Sequence, residues 1–250
     1  MTHQEFLLHG ENGYDISCLE WTGEQATSVL VCLHGFAGDK YSSVIRSLAE
    51  KLTAASVRVI TLDWPGHGSS PVDGTYLTIE NCIRDLDTVL EYVSKDRSPI
   101  MLFATSFGGF IGVNYLMRNP TAFSKFVLRS PALSMPDTYR TFLTDEDIAA
   151  LKRGESVNKG FDRPLWLDAS FHEDLCAHRI PAKALNFKIP GLVIQGDQDD
   201  VVDPEESVRF AQDNGLELHI VSGADHRYKH PGELEEILSA TTDFLIGSDL

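Results

Sequence analysis

A serine, an aspartate and a histidine that together could cleave an acyl bond occur in that order along the chain. Ser106 lies in MLFATSFGGFIG, Asp199 in VIQGDQDDVVDP and His226 in IVSGADHRYKHP. A serine hydroxyl is a poor nucleophile until a base accepts its proton, and a third group must hold that base in place. The three residues are far apart in sequence, so this chemistry requires a fold that brings them together.

The residues around Ser106 have the pattern of a sharp turn between a strand and a helix. The stretch from Ala104 to Gly108 follows the G-x-S-x-G signature, with alanine in place of the first glycine. That turn needs small residues two positions before and after the serine because strand and helix nearly touch there. It presents the hydroxyl at the carboxyl edge of a sheet. Serine is also a preferred helix N-cap, so on this motif alone a nucleophile and a capping residue remain equally open.

The acid and the base both have competitors nearby. The acidic cluster contains Asp197, Asp199, Asp200 and Asp203. Asp203 stands just before Pro204 and is predicted to cap the helix that starts there. His226 competes with His230, and the spacing in HRYKH would suit a metal ion only on a helix. Because the stretch reads as a loop before Pro231, with no third ligand evident, we expect no metal site.

Eight short apolar runs alternate with helical patterns and predict the elements that position these residues. The runs are EFLLHG, DISCLEW, SVLVCLHG, SVRVITLDW, PIMLFAT, KFVLRS, PGLVIQGD and LELHIVSG. Continuous apolar runs indicate strands covered on both faces, and the stretch TIENCIRDLDTVLEYVS has the single apolar stripe of a helix. We therefore predict an α/β fold with a mostly parallel, doubly wound sheet that begins with an antiparallel pair. Ser106, Asp199 and His226 each follow a predicted strand, at the edge where open α/β sheets bind ligands.

One segment interrupts this alternation. Residues 131–188 are more polar, contain four prolines and show only short helical pieces such as TDEDIAALKRG. The segment lies between two predicted core strands, so we predict a single domain over residues 1–250 in which residues 131–188 are an inserted cap, or lid, over the sheet edge. Its aromatic residues could line a substrate pocket or simply form the core of the insertion. The candidates are Tyr139, Phe142, Trp166 and Phe171, with Phe161 beside them.

The composition limits the partners. The chain has 250 residues, 37 of them acidic against 21 basic, and a formal charge of −16. Such a surface repels phosphate backbones and anionic headgroups, so nucleic acid and membrane surfaces are not expected as partners. The four cysteines form no CxxC pair, no apolar run has the length of a membrane span, and the first residues lack signal-peptide features. These features favour a cytoplasmic protein with a small-molecule substrate, as a monomer or homodimer.

Two further glycine turns complete a family pattern. VCLHGFAG places Phe36 after one strand, and LDWPGHGSS follows the next strand. With the turn at Ser106 and the order serine, acid, histidine, the chain resembles the α/β-hydrolase superfamily over nearly its whole length. Within it, the small bacterial carboxylesterases of the feruloyl (cinnamoyl) esterase type are the most similar subgroup. The resemblance implies an oxyanion hole formed by the backbone N–H groups of Phe36 and Phe107. The family's G-x-x-D-x-x-V pattern falls on Asp199 and favours it over Asp197 as the acid.

The resemblance implies a serine carboxylesterase that hydrolyses small carboxylic esters, hydroxycinnamate esters among them, through an acyl-enzyme on Ser106. A monoacylglycerol-lipase-like enzyme, a peptidase-like serine hydrolase and a non-catalytic binding protein on the same fold remain alternatives. The glycines of SFGGFIG do not have the spacing of a dinucleotide-binding loop, so we expect no cofactor.

Overall fold

The computed structural model describes residues 2–23, 25–95, 97–185 and 188–247, and an eight-stranded sheet forms its core. The strands are β1 (Thr2–His9), β2 (Asp15–Thr22), β3 (Ser28–Leu33), β4 (Val57–Leu62), β5 (Ile100–Thr105), β6 (Lys125–Arg129), β7 (Val157–Asn158), β8 (Trp166–Leu167), β9 (Gly191–Gly196) and β10 (Glu217–Val221). The helices are α1 (Ser43–Ala54), α2 (Ile79–Ser94), α3 (Phe107–Arg118), α4 (Met135–Thr141), α5 (Asp145–Lys152), α6 (Ala169–Ala177), α7 (Pro204–Asn214) and α8 (Glu233–Ile246).

The large sheet has the strand order β1-β2-β4-β3-β5-β6-β9-β10. β1 and β2 form an antiparallel pair, and β2 also runs antiparallel to β4. The other neighbouring strands are parallel to one another. All eight predicted runs form strands of this sheet, so the predicted α/β fold with a mostly parallel sheet is confirmed.

Helices cover both faces of the sheet, and β3 shows why its sequence is apolar throughout. Val29, Val31 and Leu33 pack into the core on the side of α2, α3 and α7. Leu30 and Cys32, which alternate with them, pack into the core on the side of α1 and α8. Because successive side chains of a strand point to opposite faces, a strand covered on both faces must be apolar at every position.

Helix α2 follows its predicted pattern. The side chains of the apolar stripe are buried, and they belong to Ile79, Cys82, Ile83, Leu86, Val89, Leu90 and Val93. Thr78 caps the helix by accepting a hydrogen bond from the backbone N–H of Asn81. The structure adds one buried carboxyl group that the pattern does not predict: Asp85 lies on the same face and hydrogen-bonds with Asn12 and Tyr14.

The chain between β6 and β9 contains α4, α5, the short antiparallel pair β7 and β8, and α6. This stretch corresponds to the predicted insertion 131–188, of which residues 186 and 187 lie outside the described residues. Among the described residues, no helix combines the length and apolar character needed to cross a membrane.

Candidate active site

Ser106 occupies the turn between β5 and α3, at the carboxyl edge of the sheet. β5 is a central strand, flanked by β3 and β6 in parallel register. The backbone of Ser106 has φ 53° and ψ −116°, a conformation that residues other than glycine rarely adopt. The side chain makes no capping hydrogen bond to α3. Its hydroxyl is therefore not used as a helix cap, which was the alternative interpretation of the motif.

Close packing explains the small residues around this turn. A β-carbon at Gly108 would lie 2.5 Å from the carbonyl oxygen of Leu33, closer than packed atoms can approach. A β-carbon at Gly35 would lie 3.2 Å from Cβ of Ser106, so this loop also runs directly beside the serine. Ala104, the departure from the glycine pattern, is fully buried and its methyl group fits within the core.

The structure brings Ser106, His226 and Asp199 into one hydrogen-bonded chain. His226 Nε2 lies 3.1 Å from Ser106 Oγ. The other ring nitrogen, Nδ1, lies 2.8 Å from Asp199 Oδ2 and 3.1 Å from Oδ1. A carboxylate on Nδ1 fixes that nitrogen as the protonated one, which leaves Nε2 as an acceptor facing the serine hydroxyl. This arrangement can remove a proton from Ser106 and stabilise the resulting imidazolium.

Asp199 is held as a buried carboxylate. Its side chain is fully buried, and Oδ1 accepts hydrogen bonds from the backbone N–H groups of Val201 and Val202 at 2.9 and 3.0 Å. Oδ2 accepts a further bond from Gln195 Nε2 at 3.0 Å. Burial raises the pKa of Asp199, but the hydrogen bonds and charge of His226 and the two backbone donors outweigh it and hold the pKa below its usual value. The group is therefore ionised at neutral pH.

The competing residues have other structural roles. Asp197 accepts hydrogen bonds from the backbone N–H of Gly223 at 2.7 Å and from Ser222, whereas the hydrogen bond to His226 Nδ1 comes from Asp199. Asp203 caps α7, as predicted from the following proline. His230 is exposed, and its backbone N–H donates to Glu233. Among the described residues, no cluster of His, Cys, Asp or Glu side chains is arranged to hold a metal ion.

The backbone N–H groups of Phe36 and Phe107 are available as donors beside Ser106. Within the described part of the chain, neither N–H has a hydrogen-bond acceptor. The residue after Phe36, Ala37, has φ 55°. Its backbone N–H donates a hydrogen bond to Nε2 of His67 at 3.1 Å, which holds this loop in place. A hydrogen bond from the N–H of Gly38 to the carbonyl oxygen of Gly35 closes the turn of this loop.

His34 and His67 support these loops as neutral rings. Burial lowers the pKa of both residues, and the pKa of His67 falls to about 3. His34 Nε2 accepts a hydrogen bond from the backbone N–H of Trp64, while Nδ1 lies 2.8 Å from the carbonyl of Gly35. These contacts, with the bond from Ala37 to His67, join the loop after β3 to the loop after β4, so both histidines have a structural role.

A buried ion pair joins the same two loops. Lys40 Nζ lies 2.8 Å from Asp63 Oδ2, and both side chains are fully buried. Asp63 also accepts hydrogen bonds from the backbone N–H groups of Lys40 and Ser69. The sequence reasoning did not identify this pair; the signal available was a charged residue in each of two turns that follow neighbouring apolar strands.

A cavity of about 440 Å³ opens beside Ser106 and His226. Phe36, Phe142 and Phe161 form its aromatic wall, and Lys159 and Arg227 line it as well. No Asp or Glu side chain within the described ranges lines this cavity.

The four aromatic candidates of the 131–188 segment differ in position. Phe142 lines the cavity. Tyr139 and Phe171 are buried behind the wall and pack on Phe36, with ring centroids 6.0 Å from its ring in both cases. Trp166 lies on β8, does not line the cavity and is 55% exposed.

Arg129 and Tyr228 are neighbours of the site that sequence reasoning missed. Arg129 ends β6 and donates hydrogen bonds to Thr105 Oγ1 at 2.8 Å and to the carbonyl of His226 at 3.1 Å. Its guanidinium lies 4.3 Å from the centre of the Tyr228 ring. The available signal was a basic residue at the carboxyl end of an otherwise apolar strand, next to the strand that carries Ser106.

Comparison with known proteins adds a family and a set of distant relatives. The profile of the Hydrolase_4 family, described as serine aminopeptidase, S33, matches residues 24–154. A monoacylglycerol lipase of Mycolicibacterium smegmatis is 24% identical over 276 aligned residues, which cover 98% of each chain. A proline iminopeptidase of Pestalotiopsis fici is 24% identical over 254 residues, which cover 82% of this chain and 87% of the relative.

Solved structures share the fold. Est1E from Butyrivibrio proteoclasticus with ferulic acid bound superimposes with a TM-score of 0.79 at 21% identity, over 96% of this chain and 97% of that chain.

Proposed function

This chain belongs to the serine aminopeptidase S33 family of α/β-hydrolase serine hydrolases, and from this premise we propose that it is a serine carboxylesterase acting on small carboxylic esters. The observation that carries the proposal is the contact of Ser106 Oγ with His226 Nε2 at 3.1 Å, with Asp199 on the opposite ring nitrogen. In this proposal Ser106 is the nucleophile, His226 the general base and acid, and Asp199 the residue that orients and stabilises the imidazolium.

The reaction passes through an acyl-enzyme. Ser106 Oγ attacks the ester carbonyl while its proton moves to His226 Nε2. The carbonyl oxygen becomes an oxyanion, which accepts hydrogen bonds from the N–H groups of Phe36 and Phe107. When the tetrahedral intermediate collapses, His226 returns the proton to the leaving alcohol and the acyl group stays on Ser106. Water then attacks the acyl-enzyme by the same route and releases the acid.

The strained backbone of Ser106 supports a catalytic rather than a non-catalytic use of the fold. A non-glycine residue in such a conformation costs about 1–3 kcal/mol of folding free energy. Ser106 keeps it while directing its hydroxyl to a base instead of to the helix N-terminus. The buried, ionised Asp199 against Nδ1 of His226 is a second costly feature that a catalytic use explains.

We propose residues 131–188 as a cap that forms part of the acyl pocket. Support comes from Phe142, Lys159 and Phe161 of this segment, which line the same cavity as Ser106. An aromatic wall suits a flat aromatic acid as well as an alkyl chain, so hydroxycinnamate esters are the first substrate class to test and monoacylglycerols the second. The bound ferulic acid in the structurally similar Est1E supports this order.

An aminopeptidase is the second candidate, because it is the activity in the family's description. Such an enzyme must recognise the positively charged amino terminus of its substrate, and a carboxylate is the group that does so. Within the described ranges, the cavity beside Ser106 contains Lys159 and Arg227 but no acidic side chain. This lining favours ester substrates over peptides with a free amino terminus.

Two measurements on the purified protein test the proposal. A fluorophosphonate probe should label the wild-type protein and fail to label Ser106→Ala. The same substitution should lower kcat for ester hydrolysis by about a thousandfold or more, with an unchanged circular dichroism spectrum. Labelling with no turnover of any ester would favour the peptidase alternative, and retained turnover in Ser106→Ala would refute the assigned nucleophile.

A further inference from the structure

A second cavity meets the first at Ser106. It has a volume of about 330 Å³, and Ser106, His226, Phe36 and Arg227 line both cavities. An ester whose carbonyl carbon reaches Ser106 Oγ has two arms, one on the acyl side and one on the alcohol side. Two cavities that share the nucleophile can therefore each hold one arm.

Arg129 lines the second cavity and forms no ion pair with any carboxylate of the described residues. Its two hydrogen-bond acceptors, the Thr105 hydroxyl and the His226 carbonyl, are both neutral. Its Nε is buried and, within the described part of the chain, has no acceptor. The carboxylates of Asp199 and Asp225 act on the guanidinium only from a distance. A largely buried cation is costly unless an anion meets it.

Arg227 is a second cation at the same place. It lines both cavities, and its guanidinium lies 6.0 Å from the ring centre of Phe161. It forms no ion pair with the carboxylates of residues 2–23, 25–95, 97–185 and 188–247. The nearby Asp225 pairs with Lys229 instead, at 3.2 Å. The side chain of Arg227 is thus free to meet a substrate.

The start of α1 adds to the positive potential. Ser42, Ser43 and Val44 line the second cavity, and they form the N-terminus of a 12-residue helix with no acidic residue in its first turn. The Ser42 side chain makes no capping hydrogen bond, so its hydroxyl is free to donate to a ligand. Helix N-termini favour anions. Among the described residues, no acidic side chain lines this cavity, although the whole chain has a formal charge of −16.

We propose that the substrate is an anionic ester, in which one arm carries a carboxylate or phosphate group that binds between Arg129, Arg227 and the start of α1. This inference rests on the proposed esterase function and narrows its substrate class. A bidentate contact from a guanidinium suits both groups, since each presents two oxygens on one side. The first cavity, with its aromatic wall, then holds the uncharged arm.

Four esters that differ in charge test the inference. Ethyl butyrate is neutral, and monoethyl succinate carries a carboxylate on the acyl arm. O-butyrylglycolate carries a carboxylate on the alcohol arm, and 2-phosphoethyl butyrate carries a phosphate there. The rate of acid release gives kcat/KM for each, and we expect at least one anionic ester to exceed ethyl butyrate by about tenfold. The identity of the preferred ester shows whether the site takes a carboxylate or a phosphate, and whether the anionic group lies on the acyl or the alcohol arm.

Arg227→Gln and Lys229→Gln form a matched pair of variants. Each removes one positive charge from the same loop, but Lys229 lines neither cavity. We expect the anionic-to-neutral ratio of kcat/KM to fall about tenfold in Arg227→Gln and to stay unchanged in Lys229→Gln. Equal ratios in the two variants, or a wild-type ratio of one or less for all three anionic esters, would overturn the inference.

Binding to Ser106→Ala separates this inference from the proposed function. Titration calorimetry with the same four esters measures affinity without turnover. A preference for an anionic ester together with no hydrolysis by the wild-type protein would refute the esterase and retain the anion site. Hydrolysis of ethyl butyrate without any anion preference would retain the esterase and refute the site.

Discussion

Asp199→Asn tests whether Asp199 determines which ring nitrogen of His226 carries the proton in the proposed mechanism. Oδ1 of Asp199 accepts from two rigid backbone N–H groups, so in the variant the amide oxygen must stay there. The amide NH₂ then replaces Oδ2 and faces His226 Nδ1. An NH₂ group donates, so Nδ1 must become the acceptor and Nε2 must carry the proton. In that tautomer His226 presents N–H to Ser106 and cannot accept its proton.

The change of the His226 tautomer determines the expected loss of kcat. Gln195 could turn its amide to accept from the new NH₂ and donate to the Ser207 hydroxyl, but this would change neither the amide orientation set by the two backbone N–H groups nor the tautomer of His226. The corresponding change in a serine protease triad lowers kcat about 10⁴-fold, which is about 5 kcal/mol of transition-state stabilisation. We expect a similar loss of kcat here, with KM nearly unchanged because Asp199 does not line the cavity.

Asp197→Asn is the matched control. It makes the same chemical change two residues away, where the amide oxygen can still accept the N–H of Gly223. Steady-state hydrolysis of a p-nitrophenyl ester should show kcat within about threefold of the wild type for this variant. A loss of less than tenfold in Asp199→Asn, or similar losses in both variants, would refute the tautomer argument and require another acid.

Three further outcomes are expected from other parts of the structure. Gly108→Ala should lower the free energy of unfolding in urea by about 2 kcal/mol or more, because its β-carbon would lie 2.5 Å from the Leu33 carbonyl oxygen; unchanged stability would show that α3 can move away. Burial raises the pKa of Asp85 to about 7, so the folded state holds its proton more tightly than the unfolded state, and stability falls as pH rises from about 4 to 7. Asp85→Asn should therefore stabilise the protein at pH 8 by up to about 4 kcal/mol, and less at pH 5, in denaturation at the two pH values. Phe142→Ala should change the ratio of kcat/KM between methyl hydroxycinnamates and acetate esters, and Trp166→Ala should not, since Phe142 lines the cavity and Trp166 does not.

The residues that follow core strands could be predicted from the sequence because the sheet fixes where they meet. Ser106, Asp199 and the loop of His226 come after β5, β9 and β10, and parallel strands bring their carboxyl ends to one edge. Asp199 and Asp197 could not be separated by this argument, since both follow β9. The family pattern favours Asp199, and the coordinates add its contact with His226 Nδ1 and the two backbone N–H groups of the next turn that hold it.

The sequence could locate the 131–188 segment but could not predict which of its side chains face the cavity. Its aromatic residues have similar chemistry, yet Phe142 lines the cavity, Tyr139 is buried behind it and Trp166 is 55% exposed. The helical and strand pieces in this region are short, so no long period fixes which side of the chain faces the sheet. Side-chain direction there depends on contacts with the loop of Phe36, which lies about a hundred residues earlier in the sequence.

The charge of the cavities shows the limit of reasoning from composition. A formal charge of −16 disfavours partners that contact a wide area of surface, such as a phosphate backbone. A single anionic group experiences mainly the charges within about 8 Å, the screening length at physiological ionic strength. Arg129 ends β6 and Arg227 follows His226, so they are neighbours only because β6 and β10 end at the same edge as β5. The acidic composition and a cationic substrate cavity are therefore compatible, and the long-range repulsion would act on the encounter rate more than on the bound substrate.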